Sequence, residues 1–214
     1  AQIGPAPDAW LDAGESRVPN LRPSARKRIV WHGNPRDRTP LSLVYLHGFS
    51  ASAEELRPVP DEVARRLGAN LHFPRLAGHG RDGAAMAEAS LDAWIVDLAE
   101  AVALGARIGD RVMLMGTSTG GALGVLATAI PSLAQTLAGI VLVSPNFRVK
   151  GLTGRLIELP GARHLIPLLA GRERAFEPRS AGHAEHWTTR YPSVAVAPLG
   201  ELTRLVRGLD VETC

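Results

Sequence analysis

The chain has 214 residues, the size of a single domain with a substantial core. Its net charge of +3 and its scattered arginines give no support to nucleic-acid binding. A single cysteine, Cys214, excludes a disulfide framework or a thiol-based zinc site, and no run of 18 apolar residues predicts a membrane-spanning helix.

Residues 1–24 are predicted to form an N-terminal tether. The opening AQIGPAPDAW is rich in Pro and Ala and has the composition of a loop. It begins with Ala1 in place of Met, as a segment exposed after removal of a leader or anchor would, or as a chain trimmed for expression would. We therefore expect a periplasmic or membrane-tethered location rather than a cytoplasmic one.

From residue 25 to residue 147, short apolar runs alternate with helical patterns. This alternation predicts an α/β fold with a doubly wound, mostly parallel sheet covered by helices. The candidate strands are 27–31, 41–46, 70–73, 111–115 and 139–143.

Three helices are predicted between these strands, over 59–67, 91–104 and 122–130. The first ends before Gly68, a residue that often terminates helices, and the second follows Ser90, a good N-cap. Apolar residues at helical spacing indicate that the first two pack on the core. These residues are Val59, Val63 and Leu67 in the first helix, and Leu91, Trp94, Ile95, Leu98 and Val102 in the second.

The pattern changes after Phe147. Residues 148–192 are broken by four prolines and several glycines, which predicts an irregular or helical cap over the sheet rather than more sheet. Helical periodicity resumes over 194–209, so residues 193–214 are predicted to return to the core as a helix.

The stretch VMLMGTSTGGA at 112–122 contains the strongest chemical signal. An apolar strand stops at Gly116, Ser118 stands at the bend, and a small-residue helix begins after Gly120. A strand-to-helix turn of about three residues forces strained backbone at its centre, and bulky neighbours two positions away would collide. The serine would project alone beside a helix N-terminus that favours negative charge. This fits the nucleophile elbow G-x-S-x-G.

Two further loops follow predicted strands at the same sheet edge. In HGFSAS at 47–52, the N–H of Phe49 could pair with that of Thr119 to hold an oxyanion, although an ordinary turn explains this loop equally well. In RLAGHGRDG at 75–83, His79 is a candidate general base. A histidine between two glycines more often braces a loop through a hydrogen bond or lines a pocket.

These motifs, with VLVSPNF on the next strand, occur in the order and spacing of an α/β-hydrolase. The chain resembles bacterial α/β-hydrolase-fold carboxylesterases and the monoacylglycerol lipase or lysophospholipase-like branch, over roughly residues 25–209. The resemblance implies Ser118 as nucleophile, Phe49 and Thr119 as backbone oxyanion donors, and a cap that lines an acyl or alcohol pocket. His47, Ser50 and His79 are candidates for lining that pocket.

The sequence therefore predicts a serine hydrolase of small or lipid-like carboxylic esters that forms an acyl-enzyme and needs no cofactor. One alternative is a non-catalytic binding domain of the same fold that lacks a complete triad. Peroxidase or acyltransferase chemistry on the same serine is a third possibility, because the fold permits it.

The triad acid and histidine have no evident source in this sequence. In this fold both follow the serine, on loops after later strands, and here those strands do not follow. Asp210 and Glu212 precede the expected strand and are poor candidates for the triad acid. Either the sequence is a fragment and a C-terminal segment of the same protein supplies both groups, or it is complete and works without them. We expect the first, because a doubly wound sheet without its last two parallel strands would have a long unpaired apolar edge. His183 and His186 have the spacing of a metal pair, but without a third ligand no metal site is predicted.

Overall fold

The computed structural model describes residues 3–149 and 151–209. The strands of its central sheet are β1 (Arg28–Val30), β2 (Thr39–Leu46), β3 (Asn70–Phe73), β4 (Gly109–Thr117) and β5 (Leu137–Val143). Their order is β1-β3-β2-β4-β5, and within the described residues only β1 runs antiparallel to its neighbour. All five candidate strands and the mostly parallel sheet are thus confirmed.

Helices of very different lengths surround this sheet. Among the described residues, no helix combines the length and the apolar character needed to cross a membrane. The helices are α1 (Pro7–Glu15), α2 (Val59–Leu67), α3 (Leu91–Ile108), α4 (Thr119–Thr128), α5 (Pro131–Ala134), α6 (Gly151–Ile157), α7 (Ala162–Leu169), α8 (Ala181–His186) and α9 (Ala197–Arg207), with 3-10 turns at 23–25, 53–56, 84–88 and 193–196.

The two faces of the sheet bury different side chains, because successive residues of a strand point to opposite faces. In β2, Leu43 and Tyr45 join a core cluster with Ala64 of α2. Val44 and Leu46 join the larger cluster, which α3, α4 and α9 cover. Strand β2 is therefore buried on both faces, as its apolar sequence predicts.

The predicted helices are present, with shifts at their ends. Helix α2 has the predicted range and ends at Gly68 with φ of +62°, but Val59 and Leu67 are exposed and the buried face is formed by Pro60 and Ala64. Helix α3 is capped by Ser90 as predicted and continues to Ile108. Helix α4 begins at Thr119, three residues before the predicted start, because the chain turns into it directly after the bend.

Residues 148–192 contain helices α6, α7 and α8, as predicted. They also contain two short strands, β6 (Glu173–Ala175) and β7 (Arg190–Pro192), which pair antiparallel in a separate sheet. The prediction that this region holds no sheet is therefore wrong. Strands of three residues that end at a proline carry too little pattern to be recognised in the sequence. The predicted return helix is confirmed by α9.

The prediction of a loop-like opening is wrong for residues 7–15, which form α1. Pro7 occupies the first turn of the helix, where a missing N–H costs nothing. Leu11 and Glu15 are buried, and the Glu15 carboxylate binds the buried Arg75 guanidinium at 2.7 Å and accepts the Lys27 N–H at 2.9 Å. Helix α1 is therefore part of the core.

Arg22, in the segment after α1, is hydrogen-bonded to residues 185–188, near the end of the predicted cap region (residues 148–192). Arg22 donates to the carbonyl of Glu185 at 2.9 Å, to the carbonyl of Trp187 at 3.3 Å and to the hydroxyl of Thr188 at 3.0 Å. The N-terminal segment thus contacts a stretch of chain more than 160 residues away in sequence.

Replacing Glu15 with Ala should strongly destabilise the fold. The substitution leaves the Arg75 charge buried without its partner, and breaking a buried pair in this way costs about 3–5 kcal/mol of unfolding free energy. Asp12→Ala is the matched control on the same helix, because the Asp12–Arg26 pair is exposed and should contribute less than about 1 kcal/mol. Chemical denaturation of both variants measures the difference, and equal effects would contradict it.

Candidate active site

Ser118 lies where β4 passes into α4. Its backbone has φ 51° and ψ −110°, a strained combination for a residue with a side chain. Its N–H donates to the Val143 carbonyl at 3.0 Å, and its carbonyl accepts from the N–H groups of Ala122 at 3.1 Å and Asn146 at 2.9 Å. The half-buried hydroxyl forms no hydrogen bond with any described residue. The backbone at Ser118 is therefore fixed while its hydroxyl is free.

The glycines beside Ser118 allow two elements to touch. A Cβ on Gly120 would lie 2.0 Å from the Leu46 carbonyl oxygen, and a Cβ on Gly116 would lie 2.4 Å from the Gly120 carbonyl carbon. Neither distance is possible for a real side chain, so the first turn of α4 packs directly on the end of β2. The steric reason that the sequence suggested for both glycines is confirmed.

Two backbone N–H groups near Ser118 have no acceptor in residues 3–149 and 151–209. Thr119 is the first residue of α4 and so lacks an intrahelical acceptor. The Phe49 N–H is also unpaired, although the N–H groups on either side of it have acceptors. The two loops adjoin, because a Cβ on Gly48 would lie 3.5 Å from the Ser118 Cβ.

Two buried histidines link the Phe49 loop to the loop after β3. His47 Nε2 accepts the Leu76 N–H at 3.1 Å, and His79 Nε2 accepts the Ser50 N–H at 3.0 Å. The Nδ1 atom of each ring contacts a backbone carbonyl of its own loop, at 2.9 Å for His47 and 3.1 Å for His79. Each loop thus supplies an imidazole that accepts a backbone N–H of the other loop. The two ring centroids are 5.0 Å apart.

These contacts bear on the choice of a general base. Burial lowers the pKa of His47 to about 4 and that of His79 to about 3, so both rings are neutral at pH 7. Both nitrogens of each ring are also occupied by backbone groups. Of the roles considered for His79, the geometry favours a brace over a base. A pocket-lining role for His47, Ser50 and His79 remains a prediction.

The cap region lies against the Phe49 loop. The Thr188 N–H donates to the Ser50 carbonyl at 2.6 Å, and the Tyr191 ring meets the Phe49 ring edge-to-face with centroids 5.4 Å apart. The end of the cap therefore borders the loop that approaches Ser118.

Within residues 151–209, the two remaining candidate histidines, His183 and His186, have no hydrogen bond to Ser118. His183 Nδ1 accepts the Arg179 N–H at 3.0 Å, and its ring lies between those of Phe176 and Trp187. In the part of the chain that the structure describes, no three His, Cys, Asp or Glu side chains are placed to hold a metal ion. Asp210 and Glu212 lie outside the described residues.

Two carboxylates support the site and were not anticipated. Asp97 accepts the Ala77 N–H at 2.6 Å, and Glu55 accepts the Gly48 N–H at 2.5 Å. Burial raises the pKa of Asp97 to about 6 and that of Glu55 to about 7. Each holds the backbone of a loop near Ser118. Neither stands out in the sequence, where both resemble ordinary surface charges.

Comparison with known proteins identifies the family. The profile of the alpha/beta hydrolase family matches residues 43–212. The chain belongs to the alpha/beta hydrolase family. The expected α/β-hydrolase fold is thereby confirmed. No curated protein sequence matches the chain at a significant level.

Solved structures with this fold include several lipid-processing enzymes. A structure reported for the metagenome-derived lipolytic enzymes LipS and LipT has a TM-score of 0.69 at 22% identity, covering 87% of this chain and 71% of that one. The monoacylglycerol lipase of Paleococcus ferrophilus has a TM-score of 0.56 at 13% identity, with coverages of 84% and 70%. Est1E from Butyrivibrio proteoclasticus, with ferulic acid bound, has a TM-score of 0.54 at 16% identity, covering 88% of this chain and 68% of that one.

In this alpha/beta hydrolase, replacing two glycines of α4 with alanine should change the unfolding free energy in opposite directions. Gly120→Ala forces a methyl group into the Leu46 carbonyl and should reduce the unfolding free energy by about 2–3 kcal/mol or more. Gly124→Ala meets no atom within 4 Å and should stabilise the same helix by about 0.5–1 kcal/mol. Denaturant titration of both variants tests this, and a neutral Gly120→Ala would contradict the packing.

The buried histidines should make the fold sensitive to acid. The pKa of His79 is lowered from 6.5 to about 3, so the unfolded chain binds a proton that the folded chain excludes between these pH values. Its contribution to stability is complete above pH 6.5 and is lost as the pH falls toward 3. The raised pKa values of Glu55 and Asp97 make the folded state less stable as the pH rises, which opposes the effect of His79. The contribution of His79 to the pH dependence of stability must therefore be measured with a His79 variant.

In His79→Gln, the change of unfolding free energy with pH should be smaller than in the natural protein. The difference should reach up to about 1.4 kcal/mol per pH unit between pH 4 and pH 6. Urea denaturation across this range measures it. His32→Gln serves as control, because His32 is exposed. If the unfolding free energy of His79→Gln changed with pH as steeply as that of the natural protein, His79 would bind its proton equally well in the folded and unfolded chains, which contradicts the prediction.

Proposed function

We propose that this alpha/beta hydrolase cleaves carboxylic esters with small or lipid-like acyl groups through an acyl-enzyme on Ser118. The observation that carries the proposal is the free hydroxyl of Ser118, held on strained backbone at the start of α4. Strain at a residue with a side chain persists only where the surroundings impose it, and it concentrates at functional sites. Here the glycine contacts impose it.

The chemistry follows from the groups around this hydroxyl. Ser118 Oγ attacks the ester carbonyl and forms a tetrahedral intermediate, whose negative oxygen is stabilised by the N–H groups of Phe49 and Thr119. Collapse of the intermediate expels the alcohol, which takes up the proton, and leaves the acyl group on Ser118. A water molecule then attacks the acyl-enzyme by the same route and releases the acid. No step requires a cofactor.

The proton transfers require a base that the described residues do not present to Ser118. His47 and His79 are neutral, but both are held by backbone groups. We therefore propose that a histidine and its partner acid come from a segment of the same protein outside the described residues. This agrees with the order serine, acid, histidine that is usual for the fold.

The choice of substrate rests on similarity of fold and on the activities named for similar structures. Those include lipolytic enzymes, a monoacylglycerol lipase and an esterase with ferulic acid bound. At sequence identities of 22% or less, the similarity to these structures establishes the fold but not the substrate specificity. The substrate class is therefore part of the proposal.

A second candidate is a non-catalytic binding domain of the same fold. The observation that favours it is the engagement of both nearby histidines by backbone groups, which leaves Ser118 without a partner in the described part of the chain. Such a protein would bind an ester or acid beside Ser118 without turning it over.

Ser118→Ala in the complete protein should abolish hydrolysis of short-chain p-nitrophenyl esters. Loss of a nucleophilic serine lowers kcat by roughly 10³-fold to 10⁶-fold, because the residual rate comes from the oxyanion donors and binding alone. Steady-state hydrolysis, together with labelling by a fluorophosphonate, measures the effect.

Ser132→Ala is the matched control, because Ser132 is an exposed serine at the start of α5. It should keep full activity. Turnover that is equal in Ser118→Ala and in the natural protein would refute the nucleophile assignment. Ester binding without turnover or labelling in the natural protein would instead favour the binding-domain alternative.

A further inference from the structure

Glu55 joins the two loops that meet at Ser118. It lies in the 3-10 turn at residues 53–56, directly after the Phe49 loop. Its Oε1 atom accepts the Gly48 N–H at 2.5 Å and the Tyr45 hydroxyl at 2.9 Å. The Tyr45 hydroxyl also contacts the Thr117 hydroxyl at 2.8 Å. One carboxylate oxygen therefore connects the residue before Phe49 to the residue before Ser118.

We propose that Glu55 is a positioning residue that sets the Phe49 N–H relative to Ser118 for stabilisation of the oxyanion. The inference rests on the proposed ester hydrolysis and deepens it. Glu55 is not proposed to touch the substrate, and it acts through the backbone of Gly48 and the side chain of Tyr45.

The contact at Gly48 fixes the His47–Gly48 peptide, which directly precedes the peptide that carries the Phe49 N–H. A backbone donor held at 2.5 Å by an acceptor cannot rotate its peptide plane without losing that bond. The space beside Gly48 is also closed, because a Cβ there would lie 3.1 Å from Glu55 Oε2 and 3.5 Å from the Ser118 Cβ. The Glu55 carboxylate and the Ser118 side chain therefore both border the space beside the Gly48 Cα.

The contact at Tyr45 extends this restraint to the nucleophile turn. Tyr45 is fully buried near the end of β2, and its ring meets the Phe73 ring edge-to-face at 6.1 Å. Burial raises the pKa of Tyr45, so its hydroxyl remains a neutral donor. A rigid side chain therefore links Glu55 to Thr117, and a displacement of either loop would break one of these hydrogen bonds.

The neighbouring carboxylate has a different role. Glu54 forms ion pairs with Arg28 and Arg57, whereas Glu55 forms none with any described residue. Burial raises the pKa of Glu55 to about 7, so a large neutral fraction is present at neutral pH. Glu55 therefore acts through its acceptor oxygen more than through its charge, and a glutamine offers the same oxygen.

The test compares Glu55→Ala, Glu55→Gln and Glu54→Ala in the complete protein. Loss of one oxyanion donor typically lowers kcat about 10²-fold to 10³-fold, and misplacing a donor should cost less. We expect Glu55→Ala to lower kcat about 10-fold to 100-fold with KM nearly unchanged, because the donor acts in the transition state. Glu55→Gln should restore most of kcat, and Glu54→Ala should keep it.

Amide hydrogen exchange at Gly48, followed by NMR, reads the same contact without turnover. The Gly48 N–H should be protected in the natural protein, in Glu55→Gln and in Glu54→Ala, and should exchange faster in Glu55→Ala. A purely structural role for Glu55 would lower thermal stability and leave kcat of the folded enzyme unchanged, which would overturn the inference. An equal loss of kcat in Glu54→Ala, or a failure of glutamine to restore it, would also overturn it.

The failure of the proposed function has a separate signature. If Ser118→Ala and the natural protein hydrolyse the ester equally, the nucleophile assignment fails whatever the Glu55 variants do. If hydrolysis depends on Ser118 and is the same in Glu55→Ala, only the positioning role fails.

Discussion

The close approach of the first turn of α4 to the end of β2 is the constraint on which the site depends. The Leu46 carbonyl occupies the space that a side chain at residue 120 would need. This contact leaves the chain no room for a gradual turn after β4, so Ser118 takes up the strain. The strained backbone that carries the free Ser118 hydroxyl is thus a product of backbone packing in the core.

The loops around this turn are held mainly by neutral groups. Buried imidazole nitrogens accept the N–H groups of Leu76 and Ser50, and a partly neutral carboxylate accepts that of Gly48. A protonated imidazolium could not accept these N–H groups and would be costly to bury. These acceptors hold the loops, while the Phe49 and Thr119 N–H groups have no acceptor within the described ranges 3–149 and 151–209.

Much of this architecture could be predicted from the sequence, since the decisive signals are local. Apolar runs located the five strands, and the spacing of Gly116, Ser118 and Gly120 located the turn, because both patterns follow from backbone sterics. Interactions between distant residues could not be predicted in this way. Glu15 meets Arg75 sixty residues away, and this contact packs one face of α1 on the rest of the fold in spite of the loop-like composition of the opening segment.

Glu55 shows the same limit at the site. In the sequence it is one of two adjacent glutamates that resemble a solvated pair, and only folding separates them. Glu54 turns to the arginines and Glu55 to the Gly48 backbone. The short strands β6 and β7 also depend on pairing across a cap whose local pattern is weak.

The bonds from Arg22 have a consequence for the Phe49 loop. They fix residues 185–188 to the N-terminal segment, and the Thr188 N–H fixes the same stretch to the Ser50 carbonyl. This end of the cap is therefore immobilised from two sides. Residues 185–188 could change position only if both sets of hydrogen bonds were broken. Arg22 thereby helps to hold the Phe49 loop in place, because the stretch that it binds is itself bonded to Ser50.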